Sequence, residues 1–387
     1  MGAVTNFYTV IKPLRFSACL IFGVLAITGA IAQHKGTVAY KDTVVTNFFK
    51  RGNGVTAADG GFSTHLPDGR TLWTFGDAFI DNIDPKTGMV PCLFQVNNAA
   101  MVQPPNNWRW EDTQTLIGDE TPGVPFGRSL FKSPHKGEFY WPVSATLIED
   151  TIYIFCSGVK LTGEGTLGFD YSGRNVLTKM KYPEMIVVGY HQLQEFYGVH
   201  YGVGFVQDAN DGHTYVYGIK GVKQNNNLHL AKFATANPNG PWQCWTGTGW
   251  TDDMSKSAIV KSNVGSTPNL ITVRNKIVLV SSEFSMGCDM GKNIYTATAG
   301  KVTGPFTNLK SIYTIDDTLN GHYPFFYVPV AHPQYINNSN EILVTYCING
   351  YGTCAPACVD GKMDPNRYRI RGIRVPLDLI DAGIKKK

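Results

Sequence analysis

The chain lacks an excess of charge of either sign, because 34 lysines and arginines stand against 30 aspartates and glutamates among 387 residues. A nearly balanced chain shows no basic footprint for nucleic acid or for an acidic membrane surface, so we expect neither as a partner. The sequence also has no convincing long amphipathic helix and no linker that would divide it into separate domains. These absences favour one large β-rich domain.

The start of the chain carries a run without charge, from Phe16 to Ala32, preceded by Lys12 and Arg15. The run ends Ala30-Ile31-Ala32, a small-x-small pattern that is typical of a secretory cleavage site. An uncleaved membrane anchor is the rival interpretation, but the stretch is short for a membrane span. We predict that residues 1–32 are a signal peptide and that residues 33–387 form a single secreted or periplasmic domain with no membrane span.

Cysteines are few, and they show no pair of Cys-x-x-Cys motifs that would indicate a zinc site. Seven cysteines follow the predicted signal peptide, so at least one thiol stays free, and an exported protein can form disulfides. Cys354 and Cys358 lie in one loop and are the expected pair. Cys156 and Cys347 fall within strand-like runs, where a cysteine is usually buried and inert.

Glycine and aromatic residues are abundant, which favours short strands and tight turns. The segment from Ala57 to Ile80 is the clearest case, with two alternating runs joined by the turn at Asp68 and Gly69. Asp59 begins the first strand and Asp77 ends the second, so a hairpin places both carboxylates at one end. Two acids at one end of a sheet suit glycoside hydrolysis. The structural alternative is that Asp59 caps a turn and Asp77 binds backbone amides.

The hairpin pattern recurs four times along the chain, and the second strands end 61 to 80 residues apart. Each interval has room for two further strands. The sequence therefore predicts an all-β, five-bladed β-propeller with four-stranded antiparallel blades, and a β-sandwich is the structural alternative. Residues 37–45 can supply the outermost strand of the last blade and close the ring. The recurrences are residues 139–161, 200–220, 266–284 and 328–350.

Alignment of the five hairpins predicts which side chains face one mouth of the central channel. A mixture of acids, polar groups and flat rings suits sugars, whose hydroxyls and apolar faces need both kinds of partner. We expect Asp59, Asp77 and Glu283 as the functional acids. The expected substrate-binding residues are Trp141, His200, Tyr201, Asn269, His332 and Tyr346.

Several of these residues have a structural alternative. Trp141 and Tyr201 can simply pack between blades, and His332 before Pro333 can end a strand. Three further acids lie outside the aligned positions: Glu164 and Asp170 in a glycine-rich loop, and Glu195 just before the third blade.

The first-blade motif, together with YGVGFV, TYVYG and the run AHPQY…LVTYCING, resembles a family of exported bacterial propellers of unassigned function. It is similar to a related family that includes endo-acting D-arabinanases and, more distantly, to five-bladed furanosidases. The resemblance covers nearly all of the mature chain. It implies a propeller, a glycoside hydrolase, and Asp59 and Asp77 as the acid pair. Many furanosidase-type propellers use a glutamate from the third blade, where this chain has His200, Tyr201 and Gly202.

The leading hypothesis is a secreted, monomeric glycoside hydrolase that acts on a polysaccharide, such as an arabinan or another furanose polymer. The rival is a non-catalytic carbohydrate-binding propeller that uses the same funnel, because propellers host many functions. A lyase or a sulfatase-like enzyme is a weaker third hypothesis, since no metal-ligand cluster or nucleophile motif supports it. No cofactor is predicted, and the sequence leaves a structural calcium ion in the channel open.

Overall fold

The computed structural model describes residues 37–121, 126–163, 168–319, 321–350, 354 and 358–385. Five antiparallel sheets make up almost all of this part of the chain, and each consists mainly of strands that are neighbours in sequence. The predicted signal peptide and Glu164 lie outside the described residues. Among the described residues, no helix is long and apolar enough to cross a membrane.

The five sheets are the blades of a propeller, numbered here in chain order and given from the inner strand outward. Blade 1 consists of Val55–His65, Thr71–Ile80, Ala99–Gln103 and Gln114–Leu116. Blade 2 consists of Glu138–Ile148, Thr151–Leu161, Phe169–Lys181 and Ile186–Gln192. Blade 3 has five strands, His200–Asp208, His213–Val222, Asn225–Ala234, Gln243–Trp245 and Trp250–Thr251.

Blades 4 and 5 complete the ring. Blade 4 consists of Asn269–Val273, Lys276–Ser282, Asn293–Ala299 and Lys310–Thr314. Blade 5 consists of Phe326–His332, Glu341–Ile348, Ile370–Pro376 and Tyr40–Lys41. The inner strand of each blade contacts the inner strand of the next, and that of blade 5 contacts that of blade 1. The predicted five-bladed propeller is therefore confirmed, with one extra strand in blade 3.

A few shorter elements accompany the blades. Val90–Pro91 pairs with Lys362–Met363 and links the loops of blades 1 and 5. The described helices are short, namely the α-helices Thr43–Phe48 and Leu377–Ile380 and the 3-10 turns Trp110–Asp112, Met254–Lys256, Pro333–Tyr335 and Pro365–Arg367.

The hydrophobic core is divided into five main clusters, and each cluster fills the space between two successive blades. The cluster between blades 5 and 1 contains Trp73 and Phe75 from blade 1 and Leu343 from blade 5. It also contains Val45 and Phe48 from the helix that follows the strand Tyr40–Lys41. The blades are thus bound to one another by apolar packing, while their inner strands leave a channel along the axis.

Both ends of the described chain meet in blade 5, as the sequence predicts. Tyr40 and Lys41 pair with Arg374 and Ile373, and the Tyr40 hydroxyl donates to Oε2 of Glu341 at 2.8 Å. Asp42 caps the first helix through the backbone N–H of Val45 and binds Arg374 at 2.6 Å. The outer edge of the strand Ile370–Pro376 is therefore paired rather than open.

The cysteine pairing differs from the expected Cys354–Cys358 bridge. Cys92 is bonded to Cys358, and Cys288 is bonded to Cys354. The two loop cysteines are close in sequence, but each meets a loop from another blade, which spacing alone does not reveal. Cys156, Cys244 and Cys347 are free and buried, which confirms the expectation of buried thiols at Cys156 and Cys347.

We expect the Cys92–Cys358 disulfide to contribute to stability, because it joins residues 266 positions apart in the chain. Closing so long a loop restricts the unfolded chain, and loss of such a bridge typically costs about 2–4 kcal/mol. The substitution Cys92→Ser should therefore lower the free energy of unfolding by roughly that amount in urea titrations. An unchanged denaturation midpoint, or a peptide map that shows Cys354 linked to Cys358, would contradict the observed pairing.

Candidate active site

Two glycines shape the strand that carries Asp59. Gly60 and Gly61 have positive φ values of 85° and 71°, and the pairing with the next strand shifts register on both sides of Gly60. Such a β-bulge bends the strand and redirects a side chain. The bulge leaves Asp59 outside the regular ladder, opposite Gly76 and Asp77 on the second strand.

Gly76 has a steric role in the same hairpin. A Cβ at position 76 would overlap Oδ1 of Asp59, and a Cβ at Gly60 would lie 3.1 Å from the backbone nitrogen of Gly76. Only glycine allows the two strands and the carboxylate to approach this closely. Glycine at positions 60 and 76 is therefore required by the geometry of the hairpin.

The two carboxyl groups lie next to each other but have different partners. The hydroxyls of Tyr327 and Tyr368 donate to Oδ2 of Asp59 at 2.6 and 2.8 Å, and the backbone N–H of Asp77 also donates to this carboxylate. Asp77 receives two side-chain donors at Oδ1, Nδ2 of Asn97 and Nε1 of Trp141, each at 3.1 Å.

These surroundings separate the protonation states of the two acids. Burial raises the pKa of Asp59, but the tyrosine and backbone donors stabilise its charged form and oppose that shift. The pKa of Asp77 is raised to about 8 by burial and by the negative charge of Asp59, with its two donors opposing the shift. The surroundings of the pair therefore favour the charge on Asp59 and the proton on Asp77.

A cavity of about 410 Å³ opens above the pair at one mouth of the channel. Its wall is largely aromatic, with Trp141 packed against Phe169 at 4.6 Å between ring centroids and Phe325 stacked on Tyr327 at 4.8 Å. This volume is in the range of small-ligand pockets, which hold an apolar surface and a few polar groups. Among the described lining residues, Asp59 and Asp77 are the only acids.

Blades 2 to 4 supply polar groups to this cavity. His200 packs against Tyr171 with ring centroids 4.6 Å apart, and burial lowers the pKa of His200, so that its ring is neutral. The side chain of Asn269 is buried, donates through Nδ2 to the carbonyl of Val203 at 2.9 Å, and has no protein partner at Oδ1. A neutral imidazole and an amide oxygen can both bind hydroxyl groups.

The structure brings five of the predicted residues together at this cavity: Asp59, Asp77, Trp141, His200 and Asn269. Tyr201 also borders the cavity, but its side chain is only 1% exposed and packs against Phe196 and Trp242. Its hydroxyl lies 3.1 Å from Oγ of Ser257. The packing role that the sequence left open for Tyr201 is the one that the structure shows.

His332 lies at the other end of the channel from Asp59. It is the last residue of its inner strand, whereas Asp59 lies near the start of the equivalent strand in blade 1. His332 is fully buried, with Nδ1 2.5 Å from Oγ of Ser63 and Nε2 2.8 Å from Oγ1 of Thr345. The structure thus gives it a packing position between blades, outside the cavity.

Tyr346 and Glu283 also stand apart from the acid pair. Tyr346 is buried between blades 4 and 5, and its hydroxyl donates to Oδ2 of Asp317 at 2.7 Å. Oε2 of Glu283 accepts from the backbone N–H groups of Lys292 and Asn293 at 2.9 and 3.2 Å. This carboxylate therefore holds the start of the third strand of blade 4 rather than facing the cavity.

Asp170 and Glu195, two of the acids that lie outside the aligned positions, are among the described residues. Asp170 is exposed and accepts from the backbone N–H of Tyr171 at 2.8 Å, and Glu195 lines a neighbouring cavity.

The sequence did not predict Tyr327 and Tyr368, which hold Asp59, or Asn97, which binds Asp77. For Tyr327 a signal was available, because the fifth predicted hairpin begins one residue after it.

One metal-ligand cluster occurs among the described residues, formed by Asp289, His322 and Cys354. Oδ2 of Asp289 lies 2.8 Å from Nδ1 of His322, while Cys354 is in its disulfide with Cys288. A disulfide sulfur is not the thiolate that binds metals. The cluster is therefore incomplete as a metal site.

Comparison with solved structures finds proteins that are similar to this chain over most of their length. A protein of Bacteroides ovatus ATCC 8483, described as a presumed hydrolase, shares 20% identity, covers 87% of this chain and 90% of its own, and superposes with a TM-score of 0.68. An α-L-arabinofuranosidase from Lactobacillus brevis is 11% identical, with coverage of 87% and 92% and a TM-score of 0.49. Another from Podospora anserina, in complex with cellotriose, is 9% identical, with coverage of 87% and 94% and a TM-score of 0.46.

The Bacteroides ovatus protein therefore shares the fold of this chain. A search of curated proteins finds no match. The family match spans residues 42–375, from the cap of the first helix to the last strand of blade 5. The chain therefore belongs to the propeller family described as domain of unknown function DUF5005.

Proposed function

We propose that the protein is an exported glycoside hydrolase that acts on an arabinan or another furanose-containing polysaccharide. The observation that carries the proposal is the acid pair itself: two adjacent carboxyl groups in one aromatic cavity, with surroundings that favour opposite protonation states. Glycoside hydrolysis needs one carboxylic acid and one carboxylate on either side of the scissile bond.

The roles follow from the protonation states. Asp77 donates its proton to the glycosidic oxygen, and the bond between that oxygen and the anomeric carbon breaks. Asp59 either removes a proton from an attacking water molecule or attacks the anomeric carbon itself, after which water releases the sugar. Tyr327 and Tyr368 are positioning residues in this scheme, since they fix the carboxylate of Asp59 and stabilise its charge.

The aromatic wall supports a sugar ligand. Trp141 and Phe169 present ring surface beside Asp77, and the apolar face of a sugar packs on such rings. His200 and Asn269 then offer neutral hydrogen-bonding groups for hydroxyls on the other blades.

The test is product formation from a panel of glycans that includes linear L-arabinan, D-arabinan and arabinoxylan. We expect new reducing ends from at least one furanose-containing glycan, and none from the double variant Asp59→Asn, Asp77→Asn. Binding of a glycan without new reducing ends would instead support the rival, a carbohydrate-binding propeller. The rival is favoured by the third blade, which contributes His200 and Tyr201 rather than a glutamate to the described lining of this cavity.

The proposed roles predict a bell-shaped dependence of kcat/KM on pH. Activity requires a protonated Asp77, so it should fall as pH rises through about 8, the pKa of that carboxyl group. It should also fall on the acid side, as Asp59 becomes protonated, at a pH above the usual aspartate range. Initial rates across a pH series would check both limbs. A profile with no alkaline limb below pH 10 would contradict the role of Asp77.

Export is proposed from the sequence pattern of residues 1–32. We expect secreted or periplasmic material to begin at Gln33, because cleavage should follow Ala30-Ile31-Ala32. N-terminal sequencing of that material is the measurement. Full-length protein recovered from the membrane fraction would reverse this proposal while leaving the proposed chemistry untouched.

A further inference from the structure

A second cavity, of about 320 Å³, adjoins the one above the acid pair. It lies between blades 2 and 3, and it shares Tyr171 and His200 with the first cavity. Those two rings, 4.6 Å apart, form the boundary between the cavities. The two cavities are therefore neighbours that share one wall at blades 2 and 3.

Tyr197 is the aromatic side chain at the outer rim of this second cavity. It is 51% exposed, while the preceding Phe196 is buried against Trp242 and Tyr201. Tyr197 has a φ of 50°, followed by Gly198 with a φ of 80°. A positive φ is a strained conformation for a bulky residue, and it persists where the surrounding structure holds it. The buried Phe196 thus anchors a turn that holds the Tyr197 ring at the surface.

Charged groups with fixed positions line the same cavity. Nε and Nη2 of Arg174 bind Oε2 of Glu138 at 2.9 and 2.7 Å, so the guanidinium plane is held in place while the side chain remains partly exposed. Glu195 contributes an exposed carboxylate from the segment before blade 3. An exposed ring beside a guanidinium and a carboxylate offers stacking for a sugar face and hydrogen bonds for its hydroxyls.

We infer that this second cavity is a sugar subsite, which binds a further residue of the same glycan chain whose scissile bond lies at Asp59 and Asp77. The inference rests on the proposed function and adds a substrate class, an oligosaccharide long enough to cross the Tyr171–His200 boundary. Its occupant follows from this shared boundary, because a glycan chain that passes from the first cavity over Tyr171 and His200 meets the second. The volume of the second cavity lies at the lower end of the range for small-ligand pockets.

The experiment compares short and long substrates in one set of variants. The probes are linear D- and L-arabino-oligosaccharides of two to six residues, and kcat/KM is measured for each length. The variants are Tyr197→Ala and Glu195→Gln, with Ile186→Ala as a control for loss of an exposed apolar side chain, since Ile186 is 59% exposed on the outer strand of blade 2. Each variant's melting temperature is measured alongside.

We expect Tyr197→Ala to lower kcat/KM about tenfold for the longest oligosaccharides, and less than about twofold for the shortest one that is cleaved. Glu195→Gln should also lower kcat/KM mainly for the longest oligosaccharides, by a smaller factor. Ile186→Ala should leave kcat/KM unchanged for both long and short substrates. Equal effects on short and long substrates, or none, would overturn the subsite and leave the proposed function intact. A wild-type protein that cleaves none of the furanose glycans or oligosaccharides would overturn the proposed function, and the subsite with it.

Discussion

Asp59→Asn and Asp77→Asn should each lower kcat by about 10²–10⁴-fold, the range that general acid–base catalysis typically contributes. Asparagine keeps the size of the side chain and accepts some of the same hydrogen bonds, but it cannot transfer the proton. Because Tyr327 and Tyr368 can still donate to the amide oxygen at position 59, we expect that variant to fold. Activity on the cleaved glycan and thermal unfolding are measured on the same preparations.

The pH dependence of stability tests the protonation state of Asp77 independently of activity. Its pKa in the folded protein is about 8, above the usual aspartate value, so the folded state binds more protons than the unfolded state between about pH 4 and pH 8. Wild-type stability should therefore fall as pH rises through that window. Asp77→Asn removes the titrating group, so the variant should lose less stability than the wild type between pH 5 and pH 8. The free energy of unfolding of both proteins is measured at the two pH values.

Two control variants separate a catalytic role from a structural one. Asp170→Asn changes an exposed aspartate outside the cavity and should leave both activity and stability unchanged. Glu283→Gln should keep activity per folded molecule but lower stability by about 1 kcal/mol, because its carboxylate accepts three hydrogen bonds at the start of a strand. Full activity in both Asp59→Asn and Asp77→Asn would contradict the assignment of the acid pair.

A chain that begins at Asn47 should be much less stable than one that begins at Thr37. The deletion removes the strand Tyr40–Lys41, the Asp42–Arg374 ion pair and Val45, which is fully buried against blade 5. Burial of one valine alone is worth about 1.5–3 kcal/mol. We expect a loss of at least about 3 kcal/mol and a fall in melting temperature of at least roughly 4 °C.

The deletion also leaves the strand Ile370–Pro376 with an unpaired edge, which is a template for aggregation. Light scattering during refolding would record this second effect. The matched control is Val44→Ala, since Val44 is 56% exposed next to the buried Val45 and should have little effect. A truncated chain that melts like the longer one would count against closure of the ring by this segment.

The fold and the proximity of Asp59 to Asp77 were predictable because their signals are local. The turn at Asp68-Gly69 sets the hairpin, and the glycines beside Asp59 and Asp77 are the residues that its bulge requires. The regular recurrence of the same strand-turn-strand pattern then predicts the number of blades. Even the strand from the start of the chain was predictable, because blade 5 otherwise lacks a fourth strand.

The fifth-blade residues were misplaced because an aligned pattern does not say which end of a strand faces which mouth. His332 lies at the end of its inner strand and Tyr327 near the start, so Tyr327 shares the mouth with Asp59. Tyr368 precedes a strand that is distant in sequence from Asp59, and no spacing rule connects them. The disulfides were missed for the same reason, since loops from different blades meet only in three dimensions.

The register shift in blade 1 has counterparts at the same end of three other inner strands, after Pro142, Tyr201 and Tyr327. Each irregular stretch contributes one residue to the wall of the cavity above the acid pair, namely Gly60, Val143, Val203 and Val328, while the five main apolar clusters lie between the blades. The cavity wall and this packing meet at residues such as Tyr201 and Val203, which line the cavity and also belong to apolar clusters. Blades 1, 2, 3 and 5 thus each have one stretch outside the regular ladder, so the mouth of the channel can vary there without loss of ladder hydrogen bonds, whereas the inner strands of blade 4 pair without a shift.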